Sequence, residues 1–139
     1  MSSPAVRAPS SVRERADIAS SYTWDLSSIF PSWEAWETAY RDLEQAIERY
    51  RSHEGRLAES GPRLLQAYQD ADVLGQLAYR VWYFAALHYD EDQRDNAVAA
   101  RRQRVQILIA RWRQATSWFS PELLQIPIAT IRDWMAGSR

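Results

Sequence analysis

The sequence predicts an all-α protein, an antiparallel bundle of three long helices followed by short C-terminal ones. Apolar residues recur at helical spacing in three separate stretches, no stretch alternates with the period of a strand, and capping residues stand where each periodic stretch begins. The 139 residues make about one domain, with 46% apolar and 25% charged residues, the profile of a globular chain.

Residues Met1 to Ser21 carry two Pro and six Ser and sustain no apolar period. They are expected to form a disordered, flexible leader (1–21), with the helical domain over 22–139. Asp25 is placed to cap a short turn that reaches Phe30. The first long helix is the clearest signal. Ser32 is its N-cap, Glu34 and Glu37 sit in its first turns, and Trp33, Trp36, Tyr40, Leu43, Ile47 and Tyr50 follow at steps of 3, 4, 3, 4 and 3. Gly55 is a stop signal.

A second helix is expected to begin near Ser60-Gly61-Pro62, with Pro accepted in the first turn. Its apolar residues Leu64, Leu65, Tyr68, Leu74, Leu77, Ala78, Val81, Trp82 and Ala85 cover a wide arc, so it should be the most buried element. Asp90-Glu91-Asp92 breaks the pattern and caps a third helix over 92–118, striped by Val98, Val105, Leu108, Trp112, Ala115 and Phe119. Ser120-Pro121-Glu122 opens a short fourth helix, and a last amphipathic segment with Ile128, Ile131, Trp134 and Met135 follows Pro127.

Composition narrows the function. Seventeen basic residues nearly cancel 18 acidic ones, leaving a net charge of -1, so no global field draws the chain to nucleic acid or to a membrane, and neither is expected as a partner. No apolar run approaches the ~20 residues of a membrane span, and no secretory h-region is evident. With no cysteine, disulfides and thiolate metal sites are excluded, and a cytoplasmic location is expected. All 17 basic residues are Arg, while seven Trp and seven Tyr imply broad rigid packing surfaces.

Candidate chemistry is sparse. His53-Glu54-Gly55-Arg56-Leu57 is half of an H-E-x-x-H zinc motif, but Leu57 stands where the second His is required and Gly55 interrupts the helix. His53 therefore reads as a helix-end histidine near a C-terminal dipole. His88, in register with Leu74, Ala78, Val81 and Ala85, reads as a histidine at the core boundary. Asp90, Glu91, Asp92 and Asp95 lack the Gly and the spacing of a calcium loop. Arg101 falls inside the third helix's apolar stripe and needs a partner there, with a stack on Trp82 or Tyr83 as the expectation. No catalytic, cofactor-binding or metal-ligating residue is assigned, and no cofactor is expected in this chain.

Segment order carries a resemblance. Tyr22-Thr23-Trp24-Asp25-Leu26-Ser27-Ser28-Ile29-Phe30 and Ser32-Trp33-Glu34-Ala35-Trp36, then Gly55-Arg56-Leu57, Leu64-Leu65, Arg80 with Tyr83 and Ala85, Asp92, and Phe119-Ser120-Pro121-Glu122-Leu123 resemble the N-terminal domain of oligoendopeptidase F-type enzymes. These are thimet-oligopeptidase-like zinc metallopeptidases, and the similarity runs from Tyr22 to about Ala136. The resemblance implies a helical wall that limits access to a deep channel. Zinc, the H-E-x-x-H motif and a downstream Glu ligand then belong to a C-terminal catalytic domain acting on oligopeptides. None of those residues has a counterpart here, so the chain alone is expected to be inactive, a fragment whose partner is that catalytic domain or which self-associates through exposed apolar faces. The alternative is a stand-alone helical interaction module, as a homodimer through its Trp-rich faces.

Overall fold

Local sequence and capping chemistry divide the chain as the periodicity requires. The computed structural model describes Arg13 and residues 15–137. Among them are helices α1 (Trp33–Tyr50), α2 (Gly61–Glu91), α3 (Asn96–Ala115), α4 (Phe119–Leu124) and α5 (Ile128–Gly137), with three short 3-10 turns and no strand. The protein is all-α. Of the expected leader, residues 1–12 and 14 lie outside the described residues; Arg15–Asp17 and Ser20–Tyr22 form 3-10 turns that bury nothing.

Side-chain oxygens close the helix starts. The Ser32 hydroxyl accepts from the Ala35 amide at 3.3 Å, and the Ser60 hydroxyl accepts from the Arg63 amide at 3.3 Å. Asp95 accepts from Ala97 and Val98 at 2.9 and 3.1 Å, so α3 begins at Asn96, later than the expected Asp92, because α2 runs on to Glu91. Ahead of α1, the Asp25 carboxylate accepts from the Ser27 amide and hydroxyl and fixes the turn that delivers Phe30 to the core.

Contacts give the topology. Trp36 meets Val81 while Tyr50 meets Ala67, so α1 and α2 run antiparallel. Arg102 lies over Trp82 and Tyr89 while Trp112 reaches Gly75, so α2 and α3 are antiparallel as well. The main core gathers Trp36, Leu43, Ile47, Val81, Phe84, Val105 and Leu108. A second cluster of Leu57, Leu64, Ala67 and Ile126 lies under α4 and α5, and Trp118 and Phe119 pack against both clusters. Gly61 lets α5 approach the start of α2, since a Cβ there would fall 2.9 Å from the Trp134 Cβ.

One burial expectation is corrected. The densest burial falls in α1, with six buried residues of 18, and not in α2, with seven of 31. The reason is length: α2 outruns both neighbours and flanks each along only part of its surface, which leaves Leu65 and Tyr68 exposed.

Trp36 is fully buried, and its indole N–H donates to the Val81 carbonyl at 2.8 Å. Replacing it with Ala removes that bond and opens a cavity at the α1–α2 contact. Trp36→Ala should lower unfolding free energy by about 3–5 kcal/mol in urea titration; a loss under 1 kcal/mol would contradict this placement.

Candidate functional site

His53 is the histidine that the sequence offers first. It sits in the 3-10 turn Arg51–His53 that ends α1, and it is buried, with 5% of its surface exposed. Its Nε2 lies 2.8 Å from Oδ2 of Asp70, and Gln66 donates to the other Asp70 oxygen at 2.8 Å. The expected helix-end histidine is thus a buried partner of a carboxylate on α2. The signal for it, a carboxylate 17 residues downstream, is long-range and has no local pattern.

The pair borders an open cleft of about 640 Å³ that also touches Arg49, Ser52, Arg63 and Val73. A histidine held by a carboxylate is the base half of a catalytic triad. Here the free ring nitrogen, Nδ1, is enclosed and bonds to nothing among the described residues, so no substrate atom reaches it in this conformation. Beside it Tyr50 donates to the Ala67 carbonyl at 3.2 Å, and burial pushes its phenol up to about 12, so it stays protonated at neutral pH. The cluster fastens the end of α1 to α2.

His88 is half-buried, with its ring 5.0 Å from Trp33 and 4.6 Å from Phe84. Burial holds its imidazole below the ordinary 6.5, partly offset by the Glu91 carboxylate 3.7 Å away. Glu91 also accepts from the Trp24 amide at 3.1 Å and pairs with Arg15, so the acidic run is a tether for the segment before α1. Among the described residues, no group of three or more His, Asp or Glu side chains is placed to hold a metal ion.

Arg101 corrects an expectation. It stacks on Trp33, with Cζ 4.4 Å from the ring centre, and its Nε is 3.5 Å from Glu37. Arg102 instead takes Tyr89 and Trp82, at 4.6 and 5.9 Å. Successive helical residues point about 100° apart, which sends Arg101 toward α1 and Arg102 toward α2. Arg104 completes the seam with a bidentate pair to Glu37 at 2.9 and 3.1 Å, which holds the Glu37 carboxyl below its usual range.

A second groove, of about 590 Å³, opens between α2 and α3 and is lined by Tyr79, Trp82, Gln106, Ile109, Trp112 and Arg113. No sequence pattern singled it out, because its aromatic residues come from two helices and each fits a core stripe equally well.

Comparison with known proteins gives this scaffold a context. The chain is similar to the group B oligopeptidase PepB of Streptococcus agalactiae serotype III (strain NEM316), 30% identical over 112 residues, 81% of this chain and 19% of that protein. It matches one part of an oligoendopeptidase F-type enzyme. Oligopeptidase PepF of Bacillus subtilis (strain 168) is 26% identical over 113 residues, covering 81% of this chain and 17% of its own length. Chromosomal oligoendopeptidase F of Lactococcus lactis subsp. cremoris is 23% identical over 115 residues, 82% and 19% respectively. The chain therefore spans about a fifth of the length of these relatives. No protein-family model and no solved structure matches it.

The oligoendopeptidase F-like segments meet one another in space. Glu122, from Phe119-Ser120-Pro121-Glu122-Leu123, accepts from the Gly55 and Leu57 amides at 2.7 and 2.8 Å, across a loop whose Gly55 has φ +78°. Arg80 donates to the Ile29 carbonyl at 2.7 Å and lies 4.8 Å from the Phe30 ring centre. Glu122 and Arg80 are thus clamps between distant segments.

Two measurements check this. Glu122→Ala strands both amides and should cost about 1.5–3 kcal/mol of stability, with faster hydrogen exchange over residues 54–58; unchanged exchange there would remove the clamp. Because the folded His88 has the lower pKa, the unfolded chain takes up that proton first. Its contribution is fully present above about 6.5 and is lost as the pH falls from there toward the folded value. His88→Gln should lose less stability than the parent between pH 7 and pH 5 in paired urea titrations, and parallel losses would show that His88 plays no part.

Proposed function

We propose that this chain is the channel-wall part of an oligoendopeptidase F-type zinc peptidase of the cytoplasm, limiting the access of oligopeptides to a catalytic part that holds the zinc. One observation carries the reading: four fifths of the chain aligns with about a fifth of each of three bacterial oligopeptidases. The clamps Glu122–Gly55/Leu57 and Arg80–Ile29 support it, since a wall must hold its shape while peptides pass. The chain's own histidines do not fit a zinc site. His53 is committed to Asp70, and His88 lies eighteen residues farther along α2 than Asp70, roughly 27 Å at 1.5 Å per residue. Zinc chemistry is accordingly assigned to the catalytic part, which is also the chain's partner.

The purified chain, given zinc and a quenched fluorogenic oligopeptide, should show no chelator-sensitive turnover. Grafted in place of the matching segment of the Streptococcus agalactiae PepB, it should support hydrolysis at least ten times that of the deletion variant. Turnover by the chain alone, or a graft no better than the deletion, would overturn the reading.

A further inference from the structure

The α2–α3 groove combines aromatic faces with one cation. Its lining contains Tyr79, Trp82 and Trp112, with Ile109 and Ala110 between them, and not one acidic side chain. The single charge on its wall is Arg113, which is exposed and whose guanidinium has no ion-pair or hydrogen-bond partner among the described residues. Most arginines elsewhere in the helical core are engaged: Arg80 by a carbonyl, Arg101, Arg104 and Arg111 by glutamates, Arg102 by two rings. Tyr79 and Tyr83 stack on each other at 6.2 Å beside this groove while 60% and 51% exposed. The floor is firm, because the Trp112 ring lies against α2 at Gly75, where a Cβ would touch it at 3.9 Å.

An apolar, aromatic trough of about 590 Å³ with one free guanidinium complements an apolar or aromatic group that carries a carboxylate. The planar fork of Arg suits a carboxylate in two-point contact. We propose that this groove binds the carboxyl-terminal end of a short peptide whose last residue is apolar or aromatic, its ring between Trp82 and Trp112 and its terminal carboxylate on Arg113. The choice of a peptide over other apolar carboxylates rests on the oligopeptidase reading above; the complementarity to the groove does not.

The test follows indole N–H resonances of the full chain by NMR, assigned through Trp82→Phe and Trp112→Phe, during titration with N-acetyl-Ala-Ala-Phe, its C-terminal amide, and N-acetyl-Phe. Expected are saturable shifts confined to the Trp82 and Trp112 signals, at least tenfold weaker binding of the amide, and an equal weakening in Arg113→Gln, an exposed position that leaves the fold intact. Tighter binding of the tripeptide than of N-acetyl-Phe supports the peptide, and equal binding of the two overturns that choice while leaving the carboxylate site. Equal binding of acid and amide, shifts at Trp33 or Trp36 instead, or shifts that follow protein concentration alone, as self-association would give, overturn the proposal. Turnover in the zinc assay reads the channel-wall role separately, so either can fail without the other.

Discussion

The indole of Trp36 is the constraint around which the three long helices are arranged. It has no solvent-exposed surface, and its one polar atom is satisfied by a carbonyl of α2, so neither rotation nor translation of α1 along α2 is tolerated without stranding that N–H. Trp33 packs edge-on against it at 5.3 Å and Tyr40 lies at 5.4 Å, which extends the fixed register along α1. Stability and geometry therefore come from the same contact.

Around that centre, arginine does what lysine could not. The α1–α3 seam consists of flat guanidinium groups laid on rings and forked onto one carboxylate: Arg101 on Trp33, Arg104 on Tyr40, both on Glu37. Exposed ion pairs of this kind are individually weak. Their combination with aromatic faces covers apolar surface that would otherwise be wet, and the stems of the side chains contribute packing beside the charges.

The fold was legible in the sequence because its long helices write their burial in a local period. Trp36, Tyr40, Leu43, Ile47 and Tyr50 are buried as their spacing requires, and Ser32 and Ser60 cap the helices they precede. What was not legible depends on the phase between elements. Arg102, not Arg101, takes Trp82, because which helix each arginine meets depends on the rotation of α3 against its neighbours, and no periodicity within α3 reports that angle. His53 was read from its neighbours in sequence, whereas its environment comes from Asp70 and Gln66. The α2–α3 groove was hidden for a related cause: Trp82 and Trp112 each satisfy a core stripe, and only their mutual placement leaves a trough beside them.

Trp118 and Phe119 form a wall shared by the two apolar clusters. Trp118 lies 5.7 Å from Tyr50 in a stacked arrangement, while Phe119 meets Tyr68 edge-on at 5.1 Å. Solvent that enters beneath α4 strips one side of Trp118 and, with it, the support of Tyr50 at the foot of the main core. The small cluster is consequently no detachable subunit of the architecture: the two rings that cover it, Trp118 and Phe119, are also part of the packing of the main core.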